Sequence, residues 1–490
     1  MRNESQPVLI GVGQVLNRLT DLRGAQEPLM MMQEAANLAA TDATGSNDLL
    51  SQVDSVRVIR GVWPYRNPAG WLARTLNCPS AQTVGTLFGG NQVQAVVNRT
   101  ALEIQRGERA LVLITGAENG YSAARARKQG QALYYTETSG AYDLLIGAQK
   151  PEHHDLEIAK GIKTAIQVYP MYENAIRHNR SESLTEHMER VSGLWSRFSA
   201  IAADNPNAWI RDAVDAKTIR TASPTNRPIS FPYTKLMNAN MSVNMGGALL
   251  MCTVQRARDL GVPEQKWIYP LAGVEGYDHF SASVRADFHR SPGIRLVGQR
   301  LFDLAGVSVD DLTCVDLYSC FPSAVQVAAR ELGLSETRPL TVTGGLTFGG
   351  GPLNNYVMHS IARTVELLRD QANGYGLVTA NGGNLYKHAH GLYATEPNGK
   401  PFQFDNVQAQ IDALPSVACL AEFEGTVTIE SYTVMFGAQG LSQGHFACRT
   451  GNGERVWANT SDQDLMAAMT HEEFCGRPAT LAHDRIRVIG

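Results

Sequence analysis

The sequence predicts an α/β protein whose buried, parallel sheet is built in two similar halves, with an all-β tail after them. Apolar strand-like runs alternate with helical patterns from Pro7 to Gly116, and that alternation calls for crossovers between parallel strands. The order strand, helix, strand, helix, strand returns from Trp267, with little literal identity to the first series. Beyond Tyr393, apolar or alternating runs lie between glycine turns, the mark of a β domain.

In the first series, Pro7–Gly13 reads as a buried strand ending in a glycine turn, and Leu29–Ala40 as an alanine-rich helix. Asp54–Ile59 is the second strand, Ala69–Leu76 a short helix and Ala81–Thr86 a short strand. Phe88–Gln105 follows as a helix opened by Gly89, Gly90 and Asn91, and Ala110–Gly116 as a fully apolar strand. From about 121 to 230 the pattern changes to charged helices such as Glu182–Ala203 and a segment punctuated by Pro224, Pro228 and Pro232, which reads as an insertion over the sheet carrying substrate-facing loops. Met241–Cys252 returns as a strand at the edge of the first core.

The second series contains strands at Trp267–Val274, Cys314–Tyr318 and Gly376–Ala380, with helices at Ile294–Leu304 and Ser323–Leu332. Pro397–Pro401 is a linker signal. Strand patterns at Gly425–Phe436, Gly444–Arg449, Arg455–Ala458 and Arg485–Ile489 fit a small OB-like barrel, and the pattern allows a sandwich equally. The division is therefore 1–262 for the first half with its insertion, 263–398 for the second half, and 399–490 for the β-rich domain.

A formal charge of −4 and a pI near 6.3 point away from nucleic acid and from anionic membrane surfaces, and the basic run Arg125–Lys128 is short enough for a solvated face. No run approaches the roughly 20 apolar residues of a spanning helix, and Met1–Pro7 has no signal pattern, so the chain reads as cytoplasmic. Seven cysteines form no C-x-x-C pair, which argues against a disulfide framework and a zinc site. No metal and no cofactor is expected.

The most distinctive stretch is Gly344–Tyr356, with five glycines and Pro352 leading into the helical spacing of Val357, Met358, Ile361, Val365 and Leu368. Backbone amides and a helix N-terminus favour a carbonyl oxygen, an oxyanion or a phosphate at such a place, and a tight turn used only for packing is the alternative. Four stretches together resemble the thiolase superfamily, in particular its sterol-carrier-protein-2 branch and the thiolase-like proteins with an additional C-terminal domain. Gly344–Leu353 is similar to the glycine-rich G-G-x-x-x-x-G-H-P-L loop, and Tyr318–Phe321 occupies the place of H-D-C-F or N-E-A-F. Gly89–Ala95 resembles C-G-S-G-L-Q-A, and Thr379–Gly383 resembles the last catalytic loop. Over residues 7 to 393 the resemblance implies two βαβαβαββ halves in a five-layer α-β-α-β-α sandwich with an inserted loop domain.

The resemblance places the nucleophilic cysteine at Gly89, the loop histidine at Gly351, the second cysteine at Ala380 and the motif histidine or asparagine at Tyr318, so none of those side chains is retained. Cys320 is the one family cysteine position that survives, and the helix start after it would favour a thiolate; a buried thiol inherited from the scaffold is the alternative. Tyr318 could donate a hydrogen bond or a proton, or be core. Lys387, His388 and His390 follow a glycine turn that should face the same pocket, with the histidines as acid/base candidates and the lysine for a phosphate or anionic substrate. Amides of Gly349, Gly350 and Gly351, with Asn354, Asn355, Asn381 and Gly382, are candidates for an oxyanion hole, while Glu118 is a weaker candidate. These residues lead to an expected acyltransferase acting on acyl-CoA or a related thioester, with a retro-aldol variant and a non-catalytic acyl-CoA or lipid binder as alternatives. The family implies a homodimer, and the altered loops leave a monomer open.

Overall fold

Proline and glycine set the limits of the first layer in the computed structural model, which describes residues 4–148, 151–482 and 485–489. After β1 (Pro7–Leu16), α1 (Pro28–Thr44) starts with proline in its first turn and stops at Gly45, where φ is 80° and the amide closes on the Thr41 carbonyl. Its alanine face lies directly on β1: a Cβ at Gly11 would stand 2.1 Å from the Ala39 carbonyl oxygen. Then come β2 (Ser55–Val58), α2 (Pro68–Thr75), β3 (Gln82–Thr86), α3 (Gln92–Gln105) and β4 (Leu111–Asn119). The helix expected from Phe88 starts only at Gln92, because Gly89 and Gly90 run outside it.

The insertion supplies α4 (Gly120–Lys128), β5 (Leu144–Ile146), α5 (Asp155–Ala159), α6 (Ala165–Asn179), α7 (Leu184–Asp204), α8 (Ala216–Arg220), β6 (Pro228–Ser230) and β7 (Tyr233–Thr234). Capping boxes open α6 at Thr164–Gln167 and α7 at Ser183–Glu186. The chain returns as β8 (Asn244–Thr253), followed by α9 (Val254–Asp259). The first sheet has the order β1-β8-β4-β2-β3-β5. Its β2, β3, β4 and β5 pair in parallel, while β8 is antiparallel to both β1 and β4. The sequence expectation of β8 as an edge is corrected: it is interior, because its unbroken apolar run can be buried on both faces.

The second half contains β9 (Tyr269–Tyr277), α10 (Pro292–Ala305), β10 (Cys314–Asp316), α11 (Pro322–Glu331), α12 (Tyr356–Arg369), β11 (Tyr375–Gly382), β12 (Lys387–Ala394) and β13 (Gln403–Asn406). Its sheet runs β10-β11-β12-β9-β13. One buried cluster joins α3 and α12 to both sheets through Val93, Val97, Val357, Ile361, Leu249 and Val378. With α1 and α2 outside the first sheet and α10 and α11 outside the second, the core has the five α-β-α-β-α layers. Among the described residues no helix is long and apolar enough to cross a membrane.

After α13 (Gln408–Asp412) the tail forms β14 (Cys419–Leu420), β15 (Gly425–Gly437), β16 (Gly440–Thr450), β17 (Arg455–Thr460), α14 (Gln463–Met469), β18 (Pro478–Ala482) and β19 (Arg485–Val488). Pairings β15–β16, β16–β17, β17–β19, β19–β18 and β18–β15 close into a ring, so a barrel and not a sandwich results, with α14 packed on β15 and β16. Val427, Tyr432, Phe446 and Phe474 fill it. The barrel is tied to the insertion: Asn174 donates to the Tyr432 carbonyl at 2.8 Å, and Arg177 pairs with Glu473 at 2.7 Å.

Candidate active site

Four loops that follow core strands or open core helices meet the insertion around a cavity of about 510 Å³. Phe88 and Gly90 before α3, Tyr318 and Cys320 after β10, Leu346 and Gly351 of the glycine turn, and Asn381 to Asn384 at the end of β11 and just beyond it form its floor. Helix α6 contributes Ala165, Ile166 and Tyr169 as a wall, and Asn238, Ala239 and Met241 cover another side.

The floor leaves no room for a side chain at Gly90, the neighbour of the nucleophile position Gly89. A Cβ built on Gly90 would lie 2.3 Å from the Asn381 carbonyl oxygen and 2.4 Å from the Tyr318 hydroxyl. The phenol thus occupies the space a side chain at Gly90 would need. Gly89 is turned away from the cavity lining, and its amide donates to Asn354 Oδ1 at 3.2 Å.

Cys320 lies one residue ahead of α11's N-cap, Phe321, yet burial pushes its thiol up to about 12 against the hydrogen bonds of Tyr169, the backbone and Asn381. The expected thiolate is corrected to a neutral thiol: removal of water from the sulfur outweighs the helix end. Burial likewise raises Tyr318, with Cys320 adding to the shift. Both groups are proton donors at neutral pH. Asn381 donates from Nδ2 to the Tyr169 hydroxyl at 3.0 Å, and its Oδ1 has no hydrogen-bond partner among the described residues.

The glycine stretch does not form the expected amide cradle. Gly345–Gly349 is one π-helical turn, entered at Gly344 with φ 92° and left at Gly350 with φ 112°. Amides of Gly349 and Gly350 donate to the carbonyls of Gly344 and Gly345, and that of Gly351 donates to Asn240 at 2.9 Å. Donors already used within the turn cannot hold an oxyanion, which corrects the roles assigned to Gly349, Gly350 and Gly351. Asn354 reaches the lining but spends its Nδ2 on the Arg60 carbonyl at 2.7 Å. Asn355 lies outside the cavity and ties Gly116 to the turn at 2.8 Å. Beneath the turn, the buried Asp316 accepts from the Val342 amide at 2.9 Å, Tyr356 at 2.9 Å and Ser360 at 2.7 Å.

The Lys387–His390 cluster splits by strand alternation. Lys387 extends toward the site and pairs with Glu152, a cavity-lining residue, at 2.8 Å. His388 and His390 point to the opposite face of β12, under α10, so the expectation that they face the pocket is corrected. His388 Nε2 is 3.1 Å from Asp278, which also contacts Ser291. Burial would raise Asp278, but Arg285 and His388 prevail and hold it at about 2. Burial and the nearby His388 push His390 down to about 3, leaving a neutral ring. Gly382 does line the pocket.

Sequence reading missed Tyr169, Glu152 and His153, all in the lining. The only signal for Tyr169 was its place in an amphipathic helix, which does not say what that helix faces. Glu118, at the end of β4, lies outside the cavity; burial pushes its carboxyl up to about 7 against the Val62 amide and Arg60. Among the described residues no group of three or more His, Cys, Asp or Glu could hold a metal ion.

Residues 406–485 match the family model described as the additional C-terminal domain of thiolase-like protein type 1. The crystal structure of a monomeric SCP2-thiolase like protein type 1 from Mycobacterium smegmatis aligns over 100% of both chains with TM-score 0.85 and 32% identity. The Ltp2-ChsH2 aldolase shares the fold, with TM-score 0.58 and 20% identity over 80% of this chain and 98% of that one. A 3-ketoacyl-CoA thiolase of Erwinia tasmaniensis is 27% identical over 159 residues, 29% of this chain and 35% of that protein. That match spans about a third of the curated relative's length.

Proposed function

The chain belongs to the SCP2-thiolase-like proteins of type 1, and from that premise we propose that its pocket binds an acyl thioester of the coenzyme A kind and acts on it without forming an acyl-enzyme. The observation that carries this reading is the glycine at the nucleophile position, Gly89, beside a floor that Tyr318 and the Asn381 carbonyl close next to Gly90. Cys320 does not replace the missing nucleophile, since a thiol at about 12 holds about one part in 10⁵ as thiolate at pH 7.

Two protonated groups on one floor suit the opposite task. The thioester carbonyl oxygen accepts hydrogen bonds from the Tyr318 hydroxyl and the Cys320 thiol, which stabilise the charge that grows there when a bond next to the carbonyl breaks. Asn381 Oδ1 is an acceptor for a substrate hydroxyl. In a retro-aldol cleavage, a base removes the proton of a β-hydroxyl, the C–C bond electrons move into the enolate, and the enolate carbon is then reprotonated. Glu152 and His153 are the carboxylate and imidazole at the cavity for the base role. We take the protein to act as a monomer, because β5 pairs along the outer side of β3 and covers that strand edge. The seven free cysteines fit a cytoplasmic location.

Incubation with 3-hydroxyoctanoyl-CoA, followed by intact-mass measurement and product analysis, tests the reading. Expected are an unmodified protein mass, non-covalent binding and release of an aldehyde with acetyl-CoA, the binding and the release both reduced in Tyr318→Phe. A stable acyl adduct at Cys320 overturns the non-covalent route. Binding with no turnover selects the non-catalytic binder.

A further inference from the structure

The C-terminal barrel reaches the pocket through a chain of side chains that has only one consistent hydrogen-bond assignment. Gln167 Oε1 accepts from the backbone amides of Lys163 at 2.9 Å and Thr164 at 3.1 Å, and from Thr164 Oγ1 at 2.9 Å. Lys163 and Thr164 both line the cavity. The Gln167 Nε2 amide donates to the Gly161 carbonyl at 2.8 Å, and its second hydrogen faces His445 Nε2 at 3.1 Å. His445, in β16 and 1% exposed, places Nδ1 2.8 Å from Asn459 Oδ1. Asn459 in turn donates from Nδ2 to the Lys160 carbonyl at 2.8 Å.

Each amide orientation is set by its backbone partners, so the imidazole must donate from Nδ1 to Asn459 and accept at Nε2 from Gln167. The buried ring lies between the barrel and the turn that opens α6. That helix also carries Tyr169, Ala165 and Ile166 into the cavity. Further along it, Ser431 of the barrel donates to the Met171 carbonyl at 2.5 Å.

We propose that the barrel is a positioning element for the pocket, with His445 holding Gln167 and, through it, the Lys163–Thr164 turn and the α6 wall, so that ligand affinity is set from the C-terminal domain. His445 is a positioning residue and touches no substrate. The affinity part rests on the pocket reading above; the clamp itself does not.

The test uses the full-length chain and the variants His445→Ala, His445→Gln, Gln167→Ala and the double variant His445→Ala with Gln167→Ala. Hydrogen–deuterium exchange of residues 161–169 is measured without ligand, and octanoyl-CoA affinity by calorimetry. His445→Ala is expected to raise exchange in that segment and to weaken binding about five-fold, the loss expected for one neutral hydrogen bond, and Gln167→Ala, which also loses the bonds to Lys163, Thr164 and Gly161, at least as much. The double variant is expected to be no worse than Gln167→Ala alone, since the link to His445 is already broken there. His445→Gln, whose carbonyl oxygen can accept from Gln167, is expected to recover most of the loss. It also controls for a barrel that fails to fold. Exchange unchanged in both alanine variants overturns the clamp. Affinity unchanged in those variants, when the unaltered protein binds, overturns control of the pocket. An unaltered protein that does not bind octanoyl-CoA refutes the pocket reading and with it the affinity part, and the exchange data then decide the clamp alone.

Discussion

Replacing Gly90 with alanine probes the central claim about the pocket floor. The added Cβ would lie 2.3 Å from the Asn381 carbonyl oxygen and 2.4 Å from the Tyr318 hydroxyl, where ordinary contact begins near 3.4 Å. Each gap must therefore open by about 1 Å. Neither neighbour yields easily. Asn381 is held in β11 opposite His388, and the Tyr318 ring packs edge-on against Tyr356 at 5.5 Å between centroids. Overpacking of this kind costs about 1–3 kcal/mol, and the upper end is expected because one of the two atoms is backbone. Thermal unfolding should show a lower Tm for Gly90→Ala, and octanoyl-CoA affinity should fall as Tyr318 is displaced. Combining it with Tyr318→Ala should cost less than the sum of the two single losses, because one of the two clashes is then gone. A Gly90→Ala protein with unchanged Tm and affinity would refute the filled floor.

Two further outcomes follow from buried titrating groups. Alkylation of Cys320 by iodoacetamide should be slow at pH 7 and should rise about ten-fold per pH unit through pH 10 without a plateau, because its thiol is held near 12; a plateau between pH 7 and 9, followed by peptide mass mapping, would show a thiolate instead. Glu118 has a folded value of about 7 above its ordinary 4.5, so its contribution favours folding fully below about pH 4.5 and is lost as pH rises through 7. That gap corresponds to about 3 kcal/mol, so Glu118→Gln should be close to neutral at pH 4.5 and should stabilise the protein progressively toward pH 8 in urea unfolding. A stability difference independent of pH would contradict it.

The sequence by itself determined the layers and the missing chemistry. Strand and helix are written in local periodicity, so the alternation up to Gly116, its return at Trp267 and the β tail could be read from neighbouring residues alone. Absence of a nucleophile at Gly89 and Gly90 is equally local: no fold can give glycine a side chain. Direction was harder. Lys387 and His388 are adjacent in sequence and go to opposite faces of β12, and only the packing of α10 against one face and the pocket against the other decides which of them reaches the site.

Hydrogen-bond ownership was decided only in three dimensions. Glycine amides at 349–351 looked free because their partners, Gly344, Gly345 and the distant Asn240, are fixed by the π turn and the insertion. The charge state of Cys320 belongs to the same class, since a helix start is visible in sequence while burial beside Tyr169 comes from a helix some 150 residues earlier. The bond between His445 and Gln167 joins residues 278 positions apart, and no local pattern announces it. Composition and period are properties of a segment; a pocket is a property of which segments meet.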